Sequence, residues 1–217
     1  MLLSFDRTNF PLLAVESAGL EMHLLPVTKV QFEQFLAESS QVTRSQYREM
    51  LALNPAVTPE QFTLDKREGL FVTGILPKEA QAFARWLGEG FTLPTVQEWR
   101  TIYKVLRRTF LPEHDLSSEL VEGPAGQIVD KFSAHLEALT LQEYSLMRGG
   151  LVEWVRQGKQ WVGLGAPRPQ FQPNLWDPLT NEVKPLQPRQ RLPYFGFRLI
   201  RGGAWYLADR ERVRYVH

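Results

Sequence analysis

The sequence predicts an α+β domain in which irregular structure exceeds regular structure in the second half. Two patterns carry this. The first half holds helical apolar spacing in several segments, two of them opened by a capping box, with a strand pair ahead of them. From Gly149 onward helical spacing disappears, and short apolar runs alternate with Trp, Gly, Pro and Arg. Scale is the third consideration. The chain has 217 residues, 43% of them hydrophobic and 12% aromatic, enough to bury a full core in one large domain or two small ones.

The elements follow in order. "FPLLAVESAGLEMHLLP" (10–26) is a set of short apolar runs broken by Pro, Ser and Gly, which reads as a strand pair with a turn near Ser17–Gly19. In "PVTKVQFEQFLAES" Thr28 and Gln31 have capping-box spacing, and Phe32, Phe35 and Leu36 share one helical face. The polar stretch 40–70 carries a short helix around Ser45–Leu53 and then a loop containing "NPAVTP". "GLFVTGI" reads as a short strand or extended segment. "PKEAQAFARWLGEG" predicts a helix with Pro77 in its first turn, a stripe of Ala80, Phe83, Ala84 and Leu87, and Gly88 at its C-terminal cap. "LPTVQEWRTIYKVLRR" predicts another, with Thr95 and Glu98 as its capping box and Trp99, Ile102, Tyr103 and Leu106 facing inward. Residues 109–147 are weakly patterned, with one short helix expected around Lys131–Leu139. Residues 165–193 hold seven prolines, at 167, 169, 173, 178, 185, 188 and 193, which argues for a long irregular loop.

Composition excludes several function classes. Lys plus Arg total 25 and Asp plus Glu total 24, so the net charge of +1 gives no global reason to expect a nucleic-acid or membrane partner. There are no cysteines, so disulfides, thiolate metal sites and thiol catalysis are absent. Asp6 and Arg7 interrupt a short apolar start, which is not the pattern of a signal peptide, and no run approaches the length of a membrane span. A cytoplasmic location is expected.

Four stretches together resemble one family. They are "PVTKVQFEQFLAES", "AQAFARWLGEGFTLPTVQEWR", "GGLVEWV", and "RLIRGGAW" followed by "RERVRYVH". In this order, over roughly Leu24–His217, they resemble the formylglycine-generating enzymes and their sulfatase-modifying-factor relatives. The resemblance implies a single C-type-lectin-like domain over residues 1–217. Trp86, Trp99, Trp154 and Trp205 are then the large bodies that anchor an irregular core. The catalytic members hold copper on a pair of cysteines, which this chain lacks. Another branch, the iron-dependent sulfoxide synthases, uses clustered histidines. Here His23, His114, His135 and His217 are scattered without ligand spacing, and they read as surface or packing residues. No catalytic residue and no metal ligand is assigned. Calcium, which family members can bind, has no assignable ligands here, with Glu153 a candidate either for structural hydrogen bonding or for an oxygen ligand.

The end of the chain admits two alignments. In the favoured one, "RLIRGGAW" is the family's penultimate strand motif and the last strand is missing. In the other, "FGFRLIR" is the final strand, "QWVGLGA" at 160–166 stands in for the Gly-Gly-Ser-Trp strand, and 202–217 is an added tail. The branch that best suits a cysteine-free version is the variable proteins of diversity-generating retroelements. Its resemblance implies a non-catalytic scaffold whose C-terminal residues bind an unknown protein or small ligand. Trp205, Tyr206, Leu207, Asp209, Arg210, Arg212, Arg214, Tyr215 and His217 would form that surface, and Trp, Tyr and Arg are the side chains that binding hot spots favour. The alternatives are a metal-dependent oxygenase relative and an adaptor subunit of a larger complex. For Arg198, Arg201, Arg210, Arg212 and Arg214 the plain reading is a strand with one solvated face and internal pairs to Asp209 and Glu211.

Overall fold

A computed structural model describes residues 3–40, 42–54, 71–88, 90–109, 151–165, 189, 191–192 and 195–202. The chain is α+β. Strand β1 (Leu3–Phe5) pairs antiparallel with β2 (Pro11–Val15). A 3-10 turn at Glu16–Ala18 and Gly19 lead into β3 (Leu20–His23), antiparallel to β2. The expected strand pair and its turn are both present. Helices α1 (Lys29–Glu38) and α2 (Arg44–Leu53) follow. Next come α3 (Pro77–Leu87), the short β4 (Phe91–Thr92) and α4 (Val96–Thr109). The hairpin β5 (Val152–Gln157) and β6 (Gln160–Leu164), then β7 (Phe195–Gly196) and β8 (Ile200–Gly202), complete the described elements.

The capping chemistry predicted for the helices is observed. At α1 the Thr28 hydroxyl accepts the Gln31 N–H at 3.3 Å, and Gln31 Oε1 accepts the Thr28 N–H at 3.0 Å. At α4 the Thr95 hydroxyl accepts the Glu98 N–H at 3.2 Å, and Glu98 Oε2 accepts the Thr95 N–H at 2.7 Å. A third box at Thr43 and Gln46 opens α2 and went unpredicted, although its spacing is the same. At α3 Leu76 has no side-chain acceptor, so Glu79 alone acts there, accepting the Leu76 N–H. Of the described part of "GLFVTGI" (71–75), Phe71 forms a bridge to Thr28, and Val72 and Ile75 donate backbone hydrogen bonds to Val27 O and Phe195 O. The helix expected at 131–139 and most of the proline-rich loop lie outside the described residues.

Two sheets result. The larger has the order β1-β2-β3-β8-β4 and is antiparallel throughout; the smaller has the order β6-β5-β7, with β5 and β7 parallel. Neighbouring strand residues face opposite ways, so the larger sheet is buried on both sides. Leu13, Val15, Leu20, Met22 and Ile200 pack with Trp99, Ile102 and Tyr103 of α4 and with Val155, Val162 and Leu164 of the hairpin. Leu12 and Leu199 join a second cluster with Phe32 and Phe35 of α1, Phe83 and Leu87 of α3, and Trp154 and Phe197. The predicted stripe of α3 and the inward face of α4 through Tyr103 are buried. Trp99 and Trp154 are fully buried as expected, whereas Trp86 only borders the second cluster and carries the Arg7 guanidinium 4.1 Å from its ring.

The segment Phe195–Gly202 ties the two sheets together. Its first residues pair with β5, and its last insert between β3 and β4. Between these ends, His23 N–H donates to Leu199 O and Val27 N–H donates to Phe197 O, both at 3.0 Å.

Candidate functional site

Three of the motif segments meet at one buried carboxylate. Glu153, in "GGLVEWV", sits on β5 at 1% exposure. Its Oε2 accepts the indole N–H of Trp99, the Trp of the Glu-Trp helix, at 3.1 Å. Its Oε1 accepts Arg198 Nε, from "GFR", at 2.8 Å. Arg198 is fully buried and donates a further bond to Leu24 O at 2.6 Å. Burial pushes the Arg198 pKa down, and the charge of Glu153 and its hydrogen bond oppose that shift. A buried charge survives only when paired and hydrogen-bonded, so each member needs the others. Both oxygens of Glu153 are engaged by protein donors, which is the structural hydrogen bonding expected of it as one of two readings. The neighbouring Trp154 donates its indole N–H to Ile75 O at 2.6 Å.

A second pair joins the larger sheet across strands. Arg201 stands opposite Glu21 in the register and its Nε donates to Glu21 Oε2. Ser4 bridges them, donating to Glu21 Oε1 at 2.7 Å and accepting Arg201 Nη2 at 3.1 Å. These contacts correct the plain reading of the Arg cluster. Arg198 and Arg201 do not lie on a solvated face; both are buried, and both pair with carboxylates far away in sequence. Local spacing could not reveal this, because the partners lie 45 and 180 residues away.

His23 and Asp6 form a third pair that sequence reasoning missed. Both side chains are fully buried, with His23 Nε2 3.1 Å from Asp6 Oδ2 but off the hydrogen-bond direction. The His23 ring packs between Phe10 and Phe91 at centroid distances of 5.5 and 5.4 Å, so it is a packing histidine as expected. Burial works to raise the Asp6 pKa. His23, the Thr8 hydroxyl and the Phe10 N–H outweigh it and hold the value below the usual 3.8. The signal available in the sequence was a lone histidine in an apolar strand, which points to burial but not to its partner. Arg191 makes a fourth cluster at the half-buried edge, with both Glu79 oxygens at 2.7 Å, Glu49 at 2.9 Å and Gly74 O at 2.9 Å. Glu79 and Glu49 raise its pKa against a smaller effect of burial.

Trp205, Tyr206, Asp209, Arg210, Arg212, Arg214, Tyr215 and His217 lie outside the described residues, as do His114 and His135. Among the described residues no three His, Asp or Glu side chains gather as a metal site, and no helix is long and apolar enough to cross a membrane.

Fold and buried site together define an α+β domain whose motif residues work as core anchors. Residues 3–103, a little under half of the chain, match the family model of the sulfatase-modifying factor enzyme 1-like domain, which supports the formylglycine-generating enzyme and sulfatase-modifying factor family. No curated protein matches the chain.

Proposed function

We propose that this chain is a non-catalytic binding scaffold of the sulfatase-modifying-factor type, with a C-type-lectin-like fold, resembling the variable proteins of diversity-generating retroelements. One observation carries the reading. The residues that match the family's motifs, Trp99, Glu153, Trp154 and Arg198, are spent on holding the core together. The thiolate pair that gives catalytic relatives their copper chemistry has no counterpart in a sequence without cysteine. A cysteine-free composition also fits a cytoplasmic protein.

The path of the chain supports display. Residues 203–217 continue directly from β8, which is held on both sides by β3 and β4 and locked by the Glu21–Arg201 pair. A surface built on Trp205, Tyr206, Arg210, Arg212, Arg214 and Tyr215 would therefore be anchored to a rigid strand, which lowers the entropy cost of binding. The same path favours the second alignment. "FGFRLIR" joins both sheets in the manner of a final strand, and the pairing runs on through Gly202.

Comparison of the 3′ end of the gene with neighbouring repeat DNA tests the proposal. Differences confined to adenines of the repeat, falling on codons 205–217, support it; an absence of any such repeat leaves the adaptor reading in its place. Stoichiometric iron or copper in the purified protein would instead support the oxygenase alternative.

A further inference from the structure

Residues 4–9 form the end of β1, the outermost strand of the larger sheet, and the turn into β2. None of them belongs to either core cluster. β1 meets β2 in three residue pairs. Among the described residues, polar contacts supply the further ties. Ser4 donates to Glu21 Oε1 at 2.7 Å. Arg7 donates to Glu38 Oε2 at 2.7 Å and to Trp86 O at 2.9 Å. Thr8 accepts the side-chain N–H of Gln31, the capping residue of α1, at 3.0 Å. Asp6 faces His23. Three of these ties depend on a carboxylate.

Asp6 is the centre of the corner. Its Oδ1 accepts the Thr8 N–H at 2.7 Å, the Thr8 hydroxyl at 2.6 Å and the Phe10 N–H at 3.0 Å. Its Oδ2 lies 3.1 Å from His23 Nε2, with both side chains fully buried. Neither Oδ2 nor either imidazole nitrogen has a hydrogen-bond partner among the described residues. Of the elements packed around the pair, β2 and β4 bring Phe10, Leu12 and Phe91, none of them titratable. β3 and β8 bring Glu21 and Arg201, paired to each other, and Arg198, paired to Glu153. α1 brings the neutral Gln31 and, at its first residue, Lys29. A proton on Asp6 has a particular consequence here. An imidazole is cationic in acid, so a neutral Asp6 leaves a fully buried cation without its counter-charge. Oδ1 at the same time becomes a poorer acceptor for its three donors. Admitting water to the corner relieves both costs.

We propose that residues 4–9 are a strap released by acid. When Asp6 takes up a proton, the strap lifts from His23 and from the start of α1, and both core clusters stay intact. What it uncovers is the imidazole and the outer edge of β2. The opening is local because the strap adds no member to the core, whereas His23 sits on a strand held by β2 and β8. The sign follows from the closed corner. Burial works to raise the Asp6 pKa, but His23, the Thr8 hydroxyl and the Phe10 N–H hold it below the usual 3.8. The carboxylate therefore closes the strap fully above that value, and its contribution is lost as pH falls through the closed-state value. Within that window each pH unit raises the open population by up to about tenfold per proton taken up. Glu38 is likewise held below 4.5, first by Gln34 and also by Arg7, so the Arg7 tie weakens in the same direction.

The test follows amide hydrogen exchange of the full chain by NMR from about pH 7 to about pH 3, with each rate taken relative to an unstructured peptide at the same pH. The Thr8 and Phe10 amides donate to the titrating carboxylate itself. The His23 and Val27 amides, bonded to Leu199 O and Phe197 O, report on the sheet interior. The expected result is a loss of protection of about tenfold or more at Thr8 and Phe10, with His23 and Val27 unchanged. Asp6→Asn should lower Thr8 and Phe10 protection already at neutral pH. The double variant Asp6→Asn/His23→Leu should remove the step from the pH profile. Arg7→Gln, at an exposed position, should loosen the same two amides at every pH and leave the step in place. If the Asp6 variants do not fold, the native profile and Arg7→Gln decide. Thr8 and Phe10 protection constant to the acid limit, its loss together with that of His23 and Val27, or an Arg7→Gln variant that leaves both amides as protected as before would each overturn the proposal.

Discussion

Glu153 concentrates more of this protein's logic than any other single residue. Its carboxylate is the shared acceptor for Trp99 and Arg198, and it neutralises a guanidinium with no exposure to water. Glu153→Gln keeps the shape but strands the Arg198 charge, and about 3–5 kcal/mol of stability should be lost, read as a lower urea midpoint. Replacing the pair together, as Glu153→Leu/Arg198→Met, should cost clearly less than the single change, because no unpaired charge remains. Equal losses would show that packing and not charge dominates there. Asp6 makes a pH prediction. Its folded pKa lies below the usual 3.8, so its contribution is fully present above that value and is lost as pH falls through the folded one. Asp6→Asn should therefore lower stability at neutral pH and flatten the fall below about pH 4, measured as urea midpoints across pH. That Glu153 belongs to a meaningful motif was legible in the sequence. That it is the hydrogen-bond acceptor for two residues, each at least 45 positions away, was not.

At the scale of elements, local chemistry decides the helices and close packing decides the hairpin. Thr28→Ala removes the α1 cap, whose partner Gln31 also donates to Thr8, and should cost about 1 kcal/mol in thermal or urea unfolding. In β6, Gly163 lies against β7, and a Cβ there would stand 2.4 Å from Val152 and 2.7 Å from the Phe195 ring. Gly163→Ala should destabilise by roughly 1–3 kcal/mol through overpacking, seen as a lower Tm, and Gly163→Val by more. The helices could be read from their sequence because caps and apolar stripes act over three or four residues. The shortest strands could not. β4 and β7 have two residues each and are strands only because β8 and β5 lie beside them.

For the whole molecule, the decisive event is the return of Phe195–Gly202 to the N-terminal strands. It brings residues 20–23 against 200–202 and gives each core cluster members from both halves of the chain. Unfolding should therefore be one transition. Phe197→Ala, deep in the second cluster against Phe32 and Phe83, should cost about 3–5 kcal/mol and lower the tryptophan-fluorescence and circular-dichroism midpoints together. Separated midpoints would show that the halves fold independently. The sequence by itself determined the α+β class, the helices with the caps of α1 and α4, the first strand pair and the family resemblance, since each rests on spacing within a few residues or on short motifs. Only the tertiary structure decided that Arg198 and Arg201 are buried partners of Glu153 and Glu21, that His23 meets Asp6, and that "FGFRLIR" closes two sheets. Those are choices among distant partners, and distance in sequence carries no signal of which carboxylate a buried cation will reach.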